Sequence, residues 1–413
     1  MSFYIKSLPL VLSALLGAKA WGKGICENVV SYNDVVSCAE QMSPDIATAK
    51  AESQVRKASI DASTQILNPE LSLQSVSGTL QSERRTETDL ALAFPIEIGG
   101  KRSARKQVAE AEFGRSGAEL EIKKSEVRKA TILNLNRLRQ ILEEADLVDE
   151  SRETFAKLVK QYEDRPALSP EQQISLTVFK AAKSDYNFRK VEFQEELNTL
   201  SSFFIVTTGL SLEQVKKALP PRIKKWPVLS STTEDVKSSP FAAISEANVQ
   251  IAQGELNKAK GEAWPTLMLG PSAKFTKESS GDMQQWGVNL SMPLPVFNVN
   301  GGAKAAAAAN VQSTQLKRDQ ALMQISQRRT VLQNFYKIAV DALVENPNRH
   351  ELEQRHRKIE SQFIKGLVSS ALVIEAHRSL VDFEKIRNEH EIRALDAYLE
   401  LQAIDGKKVE INL

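Results

Sequence analysis

The sequence predicts a mainly α-helical protein with a small β part, built from two copies of one unit. The first observation is a repeat: Pro240 lies 196 residues after Pro44, as Pro265 does after Pro69, and these prolines begin and end two long amphipathic stretches. The second is that each stretch leads into an alternating segment, a Gly-Gly pair and another long helical pattern. A repeat of about half the chain is not a short-period solenoid, so we expect two related units. Two helical hairpins that are alike through low complexity are the alternative.

The composition also favours long helices. Charged residues make up 26% of the 413 positions and aromatic residues 6%, while helix-forming Ala, Leu, Gln, Glu and Lys are abundant. The 54 basic and 52 acidic residues nearly balance. No polyelectrolyte partner is therefore implied, and nucleic acid is disfavoured.

Residues 1–20 are predicted to be a secretory signal peptide. Lys6 precedes an apolar run at 8–16, and Ala18-Lys19-Ala20 is a small-x-small cleavage site, so the mature chain is expected to begin near Trp21. The run is too short to span a bilayer, and no later segment is apolar for long enough to do so. No acylation cysteine follows the signal directly, so we expect no lipid anchor.

The two cysteines, Cys26 and Cys38, lie in the exported part of the chain. Export favours one local disulfide between them; two unpaired thiols are the alternative. Neither cysteine is expected to be catalytic, because no histidine lies near them in sequence.

Periodicity and helix-breaking residues predict the order of elements. The first half reads as helix 34–67, β segment 70–98, helix 101–160, a break at 164–166, a helix from Ser169 to about Phe204, and an irregular Pro-rich link 205–238. The second half reads as helix 240–263, β segment 265–298, helix 303–345, a helical segment 349–364, a turn at Gly366, helix 370–404 and a polar tail 405–413.

The helix from Lys101 carries a heptad seam with one polar break at Asn134. We expect the seam to be buried core, and a channel-facing Asn134 is the alternative. The seam consists of Leu120, Val127, Asn134, Ile141, Val148 and Phe155.

Both β segments alternate between an apolar face and a small or polar face. The alternation suits a lipid-facing barrel with a wet lumen, and it equally suits a one-sided soluble sheet packed on helices. Four strands cannot close a barrel, and open edges are not tolerated in lipid, so a membrane location would require several chains to share one barrel. The apolar sets are Leu90, Leu92, Phe94, Ile96 and Ile98 in the first half, and Trp286, Val288, Leu290, Met292, Leu294 and Val296 in the second.

The order and spacing of several motifs resemble the TolC family of outer membrane efflux proteins. The motifs are the helix end Asn68–Leu71, the strand exit Pro95–Arg102 followed by Arg105, and Phe363–Ser369 before the last helix, within tandem halves that cover residues 31 to about 404. The Glu-x-Gly-Gly-Lys-Arg strand exit is similar to the CzcC-like, heavy-metal-efflux branch.

This resemblance implies a homotrimer in which each protomer gives four strands to a twelve-stranded outer membrane barrel and long helices to a periplasmic coiled-coil tunnel. It implies a passive exit duct of a tripartite system, without cofactor, metal site or catalysis. The implied partners are a periplasmic adaptor (membrane fusion) protein and an inner membrane RND transporter. The implied units are a first repeat at 21–204, an equatorial link at 205–238, a second repeat at 239–404 and a polar tail at 405–413.

The resemblance also places functional residues at two helix-turn-helix tips. The second tip keeps the family's Gly-Leu pattern, whereas the first has Arg-Pro instead, which puts the symmetry of adaptor docking in doubt. Acidic residues beyond the tips are expected to form a tunnel constriction that attracts cations; ordinary solvated helix positions are the alternative. The docking residues are Arg165, Pro166, Ala167, Leu168, Ser169, Gly366, Leu367, Val368 and Ser369, and the constriction residues are Glu375, Glu171 and Asp382.

The sequence lacks the motifs that would indicate an enzyme. The four histidines, His350, His356, His377 and His390, make no HExxH or other ligand spacing, and the first two are expected at the surface. No phosphate-binding loop or nucleophile elbow is present, so the sequence lacks the polar catalytic residues that a secreted hydrolase would need. A periplasmic coiled-coil adaptor or scaffold is the main alternative to a duct, and the substrate, a metal ion or a drug, is left open.

Overall fold

The computed structural model describes residues 26–80, 83–229, 236–279, 281–346 and 349–411. The predicted signal peptide lies outside these residues. The long elements follow the expected order. They are α1 (Tyr32–Met42), α2 (Pro44–Ser63), β1 (Glu70–Leu80), β2 (Glu83–Glu97), α3 (Lys101–Glu163), α4 (Pro170–Thr208), α5 (Leu212–Lys216), α6 (Pro240–Glu262), β3 (Thr266–Glu278), β4 (Gly281–Ser291), α7 (Gly301–Glu345), α8 (Arg349–Ile364) and α9 (Ser370–Ile404).

The tandem repeat is visible in the elements themselves. Pro44 and Pro240 each occupy the first turn of α2 and α6, where the missing N–H costs nothing. β1 and β3 begin at Glu70 and Thr266, again 196 residues apart. The sequence offset therefore corresponds to equivalent structural positions.

The helix expected at 34–67 is divided in two. Ser43 has an extended backbone, with φ −58° and ψ 124°, because the residue before a proline is pushed out of the helical region. α1 ends there and α2 starts, and α2 itself ends at Ser63. The prediction of one continuous helix was wrong for this reason.

α3 is the central element of the fold. Its 63 residues span about 95 Å at the helical rise per residue. Near the sheet it packs on α2 and α6, with Gly254 of α6 lying against Val108. Further along it packs on α1, α4 and α9. The heptad seam is buried at Val127, Ile141, Val148 and Phe155; Leu120 and Asn134 are half-buried.

The link and the tail complete the main core. In the link, Val215 and Ile223 are buried, and in the tail, Val409 and Ile411 are buried, all in the cluster that contains Leu135. Arg128 Nε donates to the Val409 carbonyl at 2.7 Å. The expectations of an irregular link and a polar tail missed these apolar residues, because each sits alone among polar neighbours in sequence. A short helix, α5, also lies within the link.

The four strands form one antiparallel sheet in the order β1-β2-β3-β4. β4 ends at Ser291, so Met292, Leu294 and Val296 lie beyond the strand, contrary to the prediction. Pro293 and Pro295 cannot donate ladder hydrogen bonds, which explains the early end. Among the described helices, none combines the length and the hydropathy of a membrane span.

The two Gly-Gly pairs differ in structure. Gly99 and Gly100 adopt left-handed conformations, with φ of 78° and 77°, and turn the chain from β2 into α3. Gly301 and Gly302, by contrast, already belong to α7, and Asn300 with φ 57° takes the left-handed position. Asparagine tolerates that region better than most residues.

Candidate functional site

One face of the sheet is apolar across all four strands. The register aligns Leu73 with Leu90, Leu90 with Ala273, and Ala273 with Trp286. A second row runs from Phe94 through Leu269 to Leu290. Because side chains alternate along each strand, those members of both predicted apolar sets that lie within β2 and β4 share one common face. Many of its side chains are exposed: Leu71, Leu73, Leu90, Phe94, Trp286, Val288 and Leu290.

The opposite face is polar. Lys274 Nζ lies 2.7 Å from Glu87 Oε2, and Arg85 Nε lies 3.0 Å from Glu278 Oε1, on neighbouring strands near the hairpin ends. Asn289 and Ser291 of β4 point to the same side. A sheet with one apolar and one charged face can separate lipid from water.

The sheet has two edges, at β1 and β4. Each of these strands pairs with one neighbour among the described residues, so its other side presents backbone N–H and C=O groups without sheet partners. Exposed edges are templates for pairing with another chain, and within lipid they must be satisfied. The sheet is therefore an incomplete unit as it stands in one chain.

The strand-exit motif forms an ion-pair clamp. Arg105 donates to both carboxylate oxygens of Glu97, at 2.6 and 2.8 Å, and its Nε donates to the Ser63 carbonyl at 3.3 Å. Lys101 Nζ donates to Thr266 Oγ1 at 3.0 Å. The clamp thus joins the start of α3 to α2, β2 and β3, where the helices meet the sheet.

The first tip, between α3 and α4, is a proline turn. Arg165 stacks over the Tyr162 ring, with 4.7 Å from Cζ to the centroid. Ser169 Oγ accepts from the Gln172 N–H at 3.3 Å, and Gln172 Oε1 accepts from the Ser169 N–H at 3.1 Å, a reciprocal capping box. The predicted docking residues of this tip are exposed apart from the half-buried Leu168.

The second tip, between α8 and α9, closes with a glycine. Gly366 has φ 74°; its N–H donates to the Phe363 carbonyl, and that of Leu367 donates to the Gln362 carbonyl. This is the Schellman arrangement, which requires the left-handed conformation. Leu367 is left 71% exposed, while Val368 packs on the core near Phe179. The two tips meet where Ser175 Oγ lies 3.1 Å from Ser370 Oγ.

The three acidic residues proposed for a constriction have different environments. Glu171 is exposed on the first turn of α4, and Glu375 is exposed on the second turn of α9. Glu375 lies 3.8 Å from Arg378, which is itself half exposed. Asp382 is instead bound by Arg189 at 2.7 Å across α4 and α9. Its charge is thus compensated within the chain, which distinguishes it from the two glutamates.

Two histidines that are distant in sequence meet near the second tip. His356 and His377 are 6% and 1% exposed, so the expectation of a surface His356 was wrong. Their Nε2 atoms lie 3.4 and 3.1 Å from Glu360 Oε1. Sequence spacing missed the histidine pair because α8 and α9 contribute one residue each.

The predicted disulfide bond between Cys26 and Cys38 is also present.

The electrostatics of this histidine cluster are settled by burial and by the shared carboxylate. Burial lowers the pKa of His377, although its hydrogen bond to Glu360 acts in the opposite direction. The two histidines hold the pKa of Glu360 well below its usual range. The favoured state is thus a neutral imidazole at His377 beside an ionised carboxylate.

Comparisons with known proteins agree with this architecture. Residues 35–167 match the family model described as outer membrane efflux protein. The cobalt-zinc-cadmium resistance protein CzcC of Cupriavidus metallidurans is 25% identical over 259 residues, 60% of this chain. The match spans 59% of that relative's length. The expected resemblance to outer membrane efflux proteins is therefore confirmed.

Solved structures share the fold over nearly the whole chain. The CmeC outer membrane channel of Campylobacter jejuni has a TM-score of 0.70 at 13% identity, covering 91% of this chain and 85% of its own. VceC of Vibrio cholerae has a TM-score of 0.70 at 16% identity, covering 92% and 97%. The predicted fold class, mainly helical with a small four-stranded sheet, is confirmed.

Proposed function

We propose that this chain, which has the sequence signature of the outer membrane efflux family and the fold of its channels, is the outer membrane exit duct of a tripartite efflux system. It conducts substrate passively from periplasm to exterior and performs no chemistry. The observation that carries the proposal is the open sheet, apolar on one face and charged on the other. A periplasmic adaptor or scaffold has no use for such a sheet, and so the duct is favoured over that alternative.

The open edges support assembly as a homotrimer. Single-chain bacterial barrels have about eight or more strands, and this chain has four in its described sheet. Three copies, joined β1 to β4, would give a closed barrel of twelve strands. Closure satisfies every edge and puts the apolar face toward lipid.

Exposed apolar stripes on two long helices support the same assembly. The side chains of each stripe are spaced by about one to three helical turns, so they lie near one face of the helix. A water-soluble helix would seldom leave so many large apolar side chains exposed. Packing between protomers would bury them and form a continuous helical wall. The stripes are Ile174, Val178, Phe188 and Val191 on α4, and Leu316, Met323, Val331 and Ile338 on α7.

The sheet would place the barrel in the outer membrane, with the helices and both tips in the periplasm. The exposed Leu367 offers an apolar contact to a periplasmic adaptor, which would couple the duct to an inner membrane RND transporter. The similarity to CzcC and the Glu97–Arg105 strand exit support heavy-metal cations as the substrate class. Among the constriction candidates, the exposure of Glu375 and Glu171 favours them over Asp382, which Arg189 neutralises.

Two measurements test the duct. Mass measurement of the detergent-extracted protein should give three chains per particle, and the particle should conduct ions when inserted into planar bilayers. A variant with Asn289→Ser, on the polar face, serves as the matched control and should assemble and conduct normally. A stable detergent-free monomer with the intact fold, or a trimer without conductance, would contradict the proposal.

A further inference from the structure

The α8–α9 hairpin brings three metal-ligating side chains together beneath the second tip. His356 and Glu360 are one turn apart on α8, so both face α9. His377 comes from the second turn of α9. These three residues can each offer one ligand atom, and the three atoms lie within 4.8 Å of one another.

The distances fit a coordinated ion. With metal–nitrogen and metal–oxygen bonds of about 2.0–2.2 Å, two ligands of a tetrahedral zinc lie about 3.3–3.5 Å apart. Glu360 Oε1 is 3.4 Å from His356 Nε2 and 3.1 Å from His377 Nε2. The three residues therefore need only small side-chain adjustments to share one ion.

Hydrogen bonding within the cluster does not account for all of its polar atoms. His377 is satisfied on both sides, since its Nδ1 lies 3.0 Å from Ser151 Oγ. His356 Nδ1, by contrast, is buried without a hydrogen-bond partner among the described residues. A buried imidazole nitrogen without a partner is costly, so the His356 ring, unlike that of His377, is not held by hydrogen bonds on both sides.

Ser151 supplies what a metal site needs around it. Metal-binding histidines usually use their second nitrogen in a hydrogen bond that fixes the ring orientation. The Ser151 contact does this for His377 and leaves its Nε2 facing Glu360. The Phe155 ring, 4.9 Å from the His377 ring between centroids, packs beside it and restricts the ring further.

An entry path leads to the cluster. A cavity of about 370 Å³ is lined by His356 and by Glu375, together with Leu372 and Ser379. The exposed Glu375 and the buried His356 both line this cavity, so a cation attracted by the carboxylate could reach His356 without unfolding the hairpin. Access of this kind distinguishes a usable site from a buried polar cluster.

We infer that His356, Glu360 and His377 bind one divalent first-row transition-metal ion of the Zn²⁺ type. Two imidazoles and one carboxylate suit zinc or cobalt better than calcium or magnesium, which prefer oxygen ligands. Three protein ligands leave the fourth position for water, so the ion can exchange. Binding would fasten α8 to α9 just below the tip, and this inference does not depend on the duct function.

Cobalt binding to the full-length, metal-stripped protein tests the site. Co²⁺ should bind at one equivalent per chain, with the visible absorption of a tetrahedral complex, and Zn²⁺ should displace it. His356→Ala, His377→Ala and Glu360→Gln should each abolish that absorption. Ser151→Ala should weaken binding roughly 10- to 100-fold while keeping the spectrum, as expected for a residue that orients a ligand.

His390→Ala is the matched control, because His390 is exposed on α9, the helix of His377, and lies outside the cluster. It should bind Co²⁺ like the parent. Circular dichroism identifies any variant that misfolds. If an alanine variant misfolds, Glu360→Gln still tests the site, because it is nearly isosteric and partly exposed. No stoichiometric binding by the parent, or undiminished binding by folded Glu360→Gln, would overturn the site.

Discussion

A positive charge on the apolar face of β4 should weaken assembly by an amount that depends on depth. The strand has 11 residues; at about 3.4 Å per residue and a tilt near 45° it crosses about 26 Å, the height of an apolar band. Trp286 is its middle residue. Val288 then lies about 5 Å from the midplane, and Leu290 about 10 Å.

These depths give the expected magnitudes. Arginine costs about 2–4 kcal/mol at the midplane and about 0–1 near the interface. Interpolation gives about 2 kcal/mol for Val288→Arg and about 1 kcal/mol for Leu290→Arg, per chain. In a trimer these costs would triple, to about 6 and about 3 kcal/mol.

The assay is refolding into lipid vesicles over a urea series, with the assembled fraction measured by gel mobility without heating. Asn289→Arg is the control, since it places the same charge between the two test positions but on the polar face. It should assemble like the parent. Equal losses for Val288→Arg and Asn289→Arg would refute the facing of the sheet, and a larger loss for Leu290→Arg than for Val288→Arg would refute the depth assignment.

Three further predictions concern the tips and the disulfide. Leu367→Asp should abolish efflux while trimers still form, because it removes an exposed apolar contact and no core packing; Leu367→Met is the control, and normal efflux by the aspartate variant would exclude this docking role. Glu375→Ala should raise single-channel conductance or weaken block by divalent cations in planar bilayers, and unchanged values for both would exclude it from the constriction. Replacing Cys26 and Cys38 by serine should lower the free energy of unfolding by about 3 kcal/mol, since the closed loop is short; equal thermal stability of parent and variant would contradict this.

Much of the fold could be predicted because it is determined by short-range sequence signals. Pro240 marks a helix start through the geometry of proline itself. The alternation of Leu90 and Phe94 with smaller residues determines the face of β2, whichever partner the sheet meets. Such signals depend on a few neighbouring residues, and each was confirmed at nearly the expected position.

The rest could not be predicted because it depends on contacts between distant segments. Val409 and Ile411 look like ordinary tail residues until α1 and α3 are seen to enclose them. His356 and His377 show no ligand spacing, since that spacing exists only across the α8–α9 hairpin. The end of β4 at Ser291 could have been predicted, because Pro293 and Pro295 are local strand breakers. The apolar alternation around them suggested instead that the strand continued.

The middle of α3 shows how a polar sequence can conceal a core. Heptad analysis assumes one partner seam, but here α3 is enclosed by α1, α4 and α9 together. Asn136 and Arg139 are therefore buried along with the apolar seam. Charges remain in such a place only when paired: Arg139 contacts Glu391 of α9 at 2.5 Å, and Asn388 Nδ2 donates to Glu144 Oε1 at 2.7 Å.

This pairing has a consequence for the register between α3 and α9. Apolar side chains alone would tolerate a shift of one turn, because one leucine can replace another in a groove. A shift would separate Arg139 from Glu391 and Glu144 from Asn388. Arg139 and Glu144 would keep their partners within α3, Glu143 and Arg137. The buried Glu391 and Asn388 side chains of α9 would lose theirs, at a cost of several kcal/mol. We infer that these buried pairs, more than the apolar seam, fix how far α9 reaches along α3. The position of the second tip relative to the first then follows from them.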